Sequence, residues 1–133
     1  MNNQSTTINS KDILMTDTHI AQTKHNAIMD HDVIVFSKDR CPQCDQTKRV
    51  MRKNGIDFHE VDLQDESIRL TDQEYETPYE FVTQVLKAKG APVVIVKNHR
   101  LDQAIKASVY GDFTFWFGFR SDFIKAITPD NQD

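Results

Sequence analysis

"FSKDRCPQCDQTKRVMRKNG", Phe36 to Gly55, contains the only two cysteines of a 133-residue chain, Cys41 and Cys44, with two residues between them. The residues around the pair spell out a helix. Pro42 suits a first helical turn, where its missing N–H is not needed. Thr47, Val50, Met51 and Asn54 recur at a spacing of three to four. Lys48, Arg49, Arg52 and Lys53 load the last turns with positive charge, as the helix dipole favours, and Gly55 stops the helix. Cys41 then takes the N-cap position, and Cys44 lies one turn inward on the same face.

That placement separates two roles. The attacking species in thiol chemistry is the thiolate, and a free cysteine with a pKa near 8.5 is only about 3% ionised at pH 7. Unpaired N–H groups at a helix start favour the anion, and a pKa lowered to about 7 makes roughly half the sulfur reactive. Cys41 is the better nucleophile, and Cys44 is close enough to attack the mixed disulfide that Cys41 forms. A structural bridge is the weaker reading, because closing so short a loop stabilises little. Zinc wants four ligands. The chain offers the two cysteines plus His19, His25, His31, His59 and His99, the first three at H-x5-H spacing in a polar arm. The expectation is no bound metal.

On either side of this stretch the pattern alternates strand and helix. "VIVF", Val33–Phe36, reads as a strand buried on both faces. "IDFHEVD", Ile56–Asp62, alternates as a second strand, completing a βαβ unit. Residues 63–76 are acidic and are expected to form a solvated loop or short helix. Thr77-Pro78-Tyr79-Glu80 is a capping box, opening a helix that runs through Phe81, Val82, Val85 and Leu86 to Gly90. "APVVIV", Ala91–Val96, is a third strand with Pro92 at its start, where proline is tolerated. Residues 97–112 form a long connection in which Leu101, Ala104, Ile105 and Val109 allow some helix. "FTFWFGF", Phe113–Phe119, is a fourth strand that Gly118 closes. A short helix with Phe123, Ile124 and Ile127 ends before Pro129. The predicted organisation is a polar, flexible arm over 1–32, one domain over 33–128 and a tail over 129–133.

Composition narrows the class. Net charge is -4, with -2 from residues 1–32. No half is basic, which speaks against nucleic-acid binding. No apolar run approaches the roughly 18–20 residues that span a bilayer. The N-terminus lacks the pattern of a secretory signal, so the expected compartment is the cytoplasm, where paired cysteines are more often catalytic than structural.

The pieces "VIVFSKDRCPQCDQTKRVM", "APVV" and "WFGFRSD" together resemble the NrdH-redoxin group of glutaredoxin-like proteins, over residues 33–62 and 91–127. The resemblance implies a thioredoxin-like α/β fold: a four-stranded mixed sheet flanked by three helices, here with two loop insertions. It implies that Cys41 attacks and Cys44 resolves, and that Pro92 is cis and faces the pair. A cis Ala91–Pro92 bond would turn the Ala91 backbone outward, where an extended substrate could pair with it, and Pro42, Gln43, Ala91 and Pro92 are the candidate substrate-binding residues. Trp116, Gly118, Phe119, Arg120 and Asp122 match the motif that ties the last strand to the last helix. Trp116 is equally readable as plain core and Arg120 as a surface ion pair. The implied function is a monomeric dithiol–disulfide oxidoreductase without a bound cofactor. It delivers electrons to the large subunit of a class Ib ribonucleotide reductase, and is recharged from NADPH through thioredoxin reductase.

Three features depart from the pattern: the N-terminal arm, the longer acidic segment 63–76 and the insert 97–112. Ser121 also replaces a proline common in the last motif. Two alternatives stand beside the main reading. A glutathione-dependent glutaredoxin commonly has Thr-Val-Pro before the third strand and a Gly-Gly-x-Asp turn; here Ala91 precedes Pro92 and Gly118-Phe119 stands where two glycines would. A C-x-x-C redox-sensing regulator that binds RNA polymerase would use Lys97, Arg100 and Lys106 of the insert as partner surface.

Overall fold

Val33–Ser37 form strand β1, buried along its whole length. The computed structural model describes residues 28–70 and 77–130, and β1 is an interior strand of its sheet. Helix α1, Pro42–Lys53, follows it, and strand β2, His59–Asp62, returns parallel to it with Ile34 opposite His59 and Ser37 opposite Asp62. Strand β3, Val93–Lys97, runs antiparallel on the other side of β1. Strand β5, Phe113–Phe117, pairs with β3, and a short strand β4, Ser108–Tyr110, pairs with β5 at the edge. The order is β2-β1-β3-β5-β4.

Alternation along the strands divides the core in two. Ile34, Phe36, Val93, Ile95, Phe113 and Phe115 point to one face, where Phe81, Val82 and Leu86 cover them. Val33, Val35, Val94, Val96 and Trp116 point to the other, against Met51 of α1 and Phe123, Ile124 and Ile127 near the C-terminus. Sequestering each of these large side chains stabilises the fold by roughly 1.5–3 kcal/mol relative to exposure. This two-sided burial is what the unalternating "VIVF" run predicts, and β3 shares it.

Helix α2 begins at the expected capping box: the Glu80 N–H donates to Thr77 Oγ1 at 3.2 Å, and the Thr77 N–H donates to Glu80 Oε1 at 3.4 Å. Only Pro78–Glu80 are α-helical; Phe81–Val85 widen into a π-helix, in which the Leu86 N–H reaches Phe81 O at 3.1 Å. The helix does not reach Gly90. Lys87 adopts a left-handed φ of 59°, and the Ala88 N–H turns back to Val82 O at 2.9 Å, ending the element early.

Other expectations need correction. Among the described residues the sheet has five strands rather than four. The connection 97–112 contains a 3-10 turn, Asn98–Arg100, and β4, with no α-helix. Gly111, at φ 63°, and Asp112 make the two-residue turn of a β4–β5 hairpin. The "VYGDF" pattern carries that signal in the sequence. Strand β2 starts at His59, not Ile56, because the preceding amides bond elsewhere: Ile56 N–H to Met51 O at 2.9 Å and Asp57 N–H to Asp130 Oδ1 at 2.9 Å. Asn54, which continues the three-to-four spacing of Thr47, Val50 and Met51, is exposed, and its Nδ2 donates to Val50 O.

Residues 1–27 of the expected arm and 71–76 of the acidic segment lie outside the described residues. The described end of the arm docks: Ile28 and Met29 pack on the first core face, and the His31 ring stacks on His59 with centroids 4.1 Å apart. The described part of the acidic segment is anchored by Leu63 and Leu70, both buried. Lys97 and Arg100 are ion-paired, Lys97 to Asp112 at 3.5 Å and Arg100 to Asp32 at 3.1 Å and Asp130 at 2.8 Å. Of the three basic side chains expected as a partner surface, Lys97 and Arg100 are thus engaged within the fold, and Lys106 is exposed.

Candidate functional site

Cys41 caps α1. Its φ of -126° and ψ of 94° are extended, and its sulfur accepts the Cys44 N–H at 3.1 Å. Two amides of the first turn thus serve this residue, since the Asp45 N–H donates to Cys41 O at 3.1 Å. The pair is joined as a disulfide with Cα atoms 5.2 Å apart. Cys41 keeps 7% exposure and Cys44 none. An attacking group from solvent therefore meets Cys41 first. In the reduced form, the hydrogen-bond donor and the helix N-terminus both act on the Cys41 sulfur and favour its anion.

The loop that delivers Cys41 from β1 is tied at several points. Arg40 takes a left-handed φ of 55° just before the cysteine. The Asp39 N–H donates to Gln64 Oε1 at 3.1 Å. At the end of β1, the Ser37 hydroxyl donates to Glu60 Oε2 at 2.6 Å, and Lys48 Nζ, one turn beyond Cys44, reaches the same oxygen at 2.7 Å. The bond from Lys48, then that from Ser37, holds the Glu60 carboxyl below the usual glutamate range despite its partial burial. This bridge binds α1 to β1 and β2 beneath the site. None of these groups is evident from the sequence alone, because Glu60 and Lys48 each look like ordinary surface charge.

Of the residues expected to meet substrate, Pro42 is exposed at the first turn and Ala91 is half-buried. Pro92 is buried, and the Ala91–Pro92 peptide is cis. Pro92 precedes Val93, which pairs with Phe36, so this end of β3 is level with the end of β1 from which the cysteine loop departs. Gln43 turns toward the last motif: its Oε1 accepts the Phe119 N–H at 2.9 Å. Gly118, at φ 85°, ends β5 and donates its N–H to Pro92 O at 2.8 Å. The structure thus links Gln43, in the turn that Cys41 caps, to Phe119, and Gly118 to Pro92.

Trp116 is 5% exposed and meets Phe123 edge-on at 5.2 Å, so it belongs to the core. The Arg120 guanidinium lies 3.8 Å over the Phe123 ring and pairs with Asp122 through two hydrogen bonds. The bond from Arg120 keeps the Asp122 carboxyl below the ordinary aspartate range. These three residues connect β5 with helix α3, Ser121–Ile124.

A groove of about 520 Å³ opens beside Ala91, with Leu63, Val82 and Ala88 among its apolar walls and Lys38 and Lys89 among its polar ones. Among the described residues, no three His, Cys, Asp or Glu side chains are grouped to hold a metal ion; His19 and His25 lie outside them. Among the described residues, no helix is long and apolar enough to cross a membrane.

Residues 33–101 match the family model described as Glutaredoxin, just over half of the chain. The chain belongs to the glutaredoxin family. Its fold is thioredoxin-like, and it is a glutaredoxin-like redox protein whose cysteine pair is closed in this structure. A curated relative, the gene 56 protein of Mycobacterium phage L5, is 32% identical over 68 residues, which cover 51% of this glutaredoxin and 57% of the phage protein. Among solved structures, the glutaredoxin-like NrdH-redoxin of Escherichia coli aligns with 22% identity and a TM-score of 0.47, over 73% of this chain and 95% of that one. The glutaredoxin grx-1 of Archaeoglobus fulgidus aligns with 19% identity and a TM-score of 0.48, over 76% and 90%.

Proposed function

We propose that this glutaredoxin is a cytoplasmic, monomeric electron carrier of the NrdH-redoxin type. It takes electrons from thioredoxin reductase, which draws on NADPH, and passes them to the large subunit of a class Ib ribonucleotide reductase. The observation that carries the chemistry is the Cys44 N–H on the sulfur of the more exposed Cys41. The choice of partners is supported by the "TKR" after the cysteine pair and by "WFGFRSD".

In the reduced protein, Cys41 attacks one sulfur of an acceptor disulfide as the thiolate. A bond forms between Cys41 and that sulfur, the acceptor's S–S bond breaks, and its other sulfur leaves as a thiolate. Deprotonated Cys44 then attacks Cys41 Sγ. The Cys41–Cys44 disulfide forms, and the second acceptor sulfur leaves. Two electrons pass to the acceptor, whose sulfurs take up the two protons given up by the pair. Holding Cys44 one turn from Cys41 makes this second step intramolecular.

The groove beside Ala91 favours a second reading. Its volume suits a small ligand, and Lys38 and Lys89 offer positive charge to carboxylates, as a glutathione-dependent glutaredoxin requires. Against it stands the Phe119 N–H, already engaged by Gln43. A paired assay separates the two. NADPH with thioredoxin reductase is expected to sustain reduction of ribonucleotide reductase through this protein, and glutathione with its reductase to sustain little. The reverse ranking sinks the main reading in favour of the second.

A further inference from the structure

Gln43 lies between the two cysteines, yet its side chain bonds outside its own helix. Its Oε1 accepts the Phe119 N–H at 2.9 Å and approaches within 3.3 Å of where a Cβ on Gly118 would stand. The neighbouring Gly118 N–H donates to Pro92 O at 2.8 Å. Successive residues, whose Cα atoms are about 3.8 Å apart, therefore hold the cysteine turn with one amide and the start of β3 with the next. Glycine at 118 is what leaves room for the carboxamide, and its φ of 85° aims the two amides.

The geometry points to Gln43 as a positioning residue for disulfide exchange. Through the Phe119 amide it fixes the first turn of α1, and with it Cys41, relative to Ala91–Pro92. An acceptor peptide laid in extended form along Ala91 then presents its sulfur to Cys41 without a search over relative orientations. The inference rests on the exchange chemistry proposed above and identifies what aligns it. Gln43 is exposed, so the bond serves alignment more than burial.

The test compares Gln43→Met, which keeps the length and loses the acceptor, with Gln43→Glu, which keeps an acceptor oxygen and adds charge. The substrate is insulin, a protein disulfide, and dithiothreitol is the final reductant. For Gln43→Met the KM for insulin is expected to rise roughly three- to tenfold, the worth of one net hydrogen bond, with a smaller change in kcat. For Gln43→Glu the KM should return toward the parent value, while ultraviolet titration of the Cys41 thiolate shows a raised midpoint from the nearby carboxylate. A parent-like KM in Gln43→Met overturns the inference. So does a KM equally poor in both variants, or a fall in melting temperature shared by both, which would mark the bond as a structural staple only. If the parent protein reduces no insulin, the failure lies with the proposed function and not with Gln43.

Discussion

Arg100 and Thr128 hold each other by four hydrogen bonds. Arg100 Nε and Nη2 donate to the Thr128 hydroxyl and carbonyl oxygens at 3.2 and 2.6 Å, and the Thr128 N–H and hydroxyl donate to Arg100 O at 2.7 and 3.1 Å. The same guanidinium reaches Asp32 before β1 and Asp130 in the C-terminal segment, and Asp130 in turn accepts the Asp57 N–H. One side chain of the inserted turn therefore clasps the start of β1, the approach to β2 and the end of the domain. The clasp lies at the opposite end of β1 from the cysteine loop.

Replacing Arg100 with Leu should lower unfolding stability by about 2–3 kcal/mol, because its partners lose several charge-assisted bonds at once. Arg100→Lys should recover little, since an ammonium cannot reproduce the planar fork. Urea denaturation measures both; a loss below about 0.5 kcal/mol in Arg100→Leu, the scale of an ordinary surface change, would show that the clasp is idle.

His59 gives the fold a pH dependence. Burial lowers its pKa below the ordinary imidazole value, and the charge of nearby His31 lowers it further. The folded state therefore disfavours the proton that the unfolded chain accepts. The resulting stability is fully present above the unfolded value of about 6.5 and is lost as pH falls through the lower folded one. Thermal melts at stepped pH should show a fall in melting temperature below about pH 6.5 that is flattened in His59→Phe, which keeps a ring for the stack. An unchanged slope in the variant would place the dependence elsewhere.

Gly118→Ala tests the turn beside the cysteines. An alanine there meets a left-handed φ of 85° and brings its Cβ to 3.3 Å from Gln43 Oε1. The expected cost is about 1–2 kcal/mol of stability, read by denaturation. A variant as stable as the parent would show that the turn relaxes freely.

The cysteines separate by role. Cys44→Ser should accumulate a mixed disulfide with an acceptor protein, visible by mass spectrometry, while Cys41→Ser should form none and lose turnover. Turnover retained in Cys41→Ser would reverse the assignment of attacker and resolver.

Much of this protein is legible locally. Pro42, the capping box at Thr77–Glu80 and the cysteines at a helix start depend on residues within one or two turns, and a short sequence window contains every partner. The run around Ile34 announces two-sided burial for the same reason. The clasp of Arg100 on Asp32 and Thr128, the stack of His31 on His59 and the bond from Phe119 to Gln43 join residues 28 to 76 positions apart. No periodicity or propensity encodes them. Each pair meets because strand order and register carry two distant segments to the same edge, and hydrogen bonds are decided only where donor and acceptor come within about 3 Å. Composition and spacing thus reveal where the reactive sulfurs stand along the chain, while the packing of the sheet selects the groups that hold them in place.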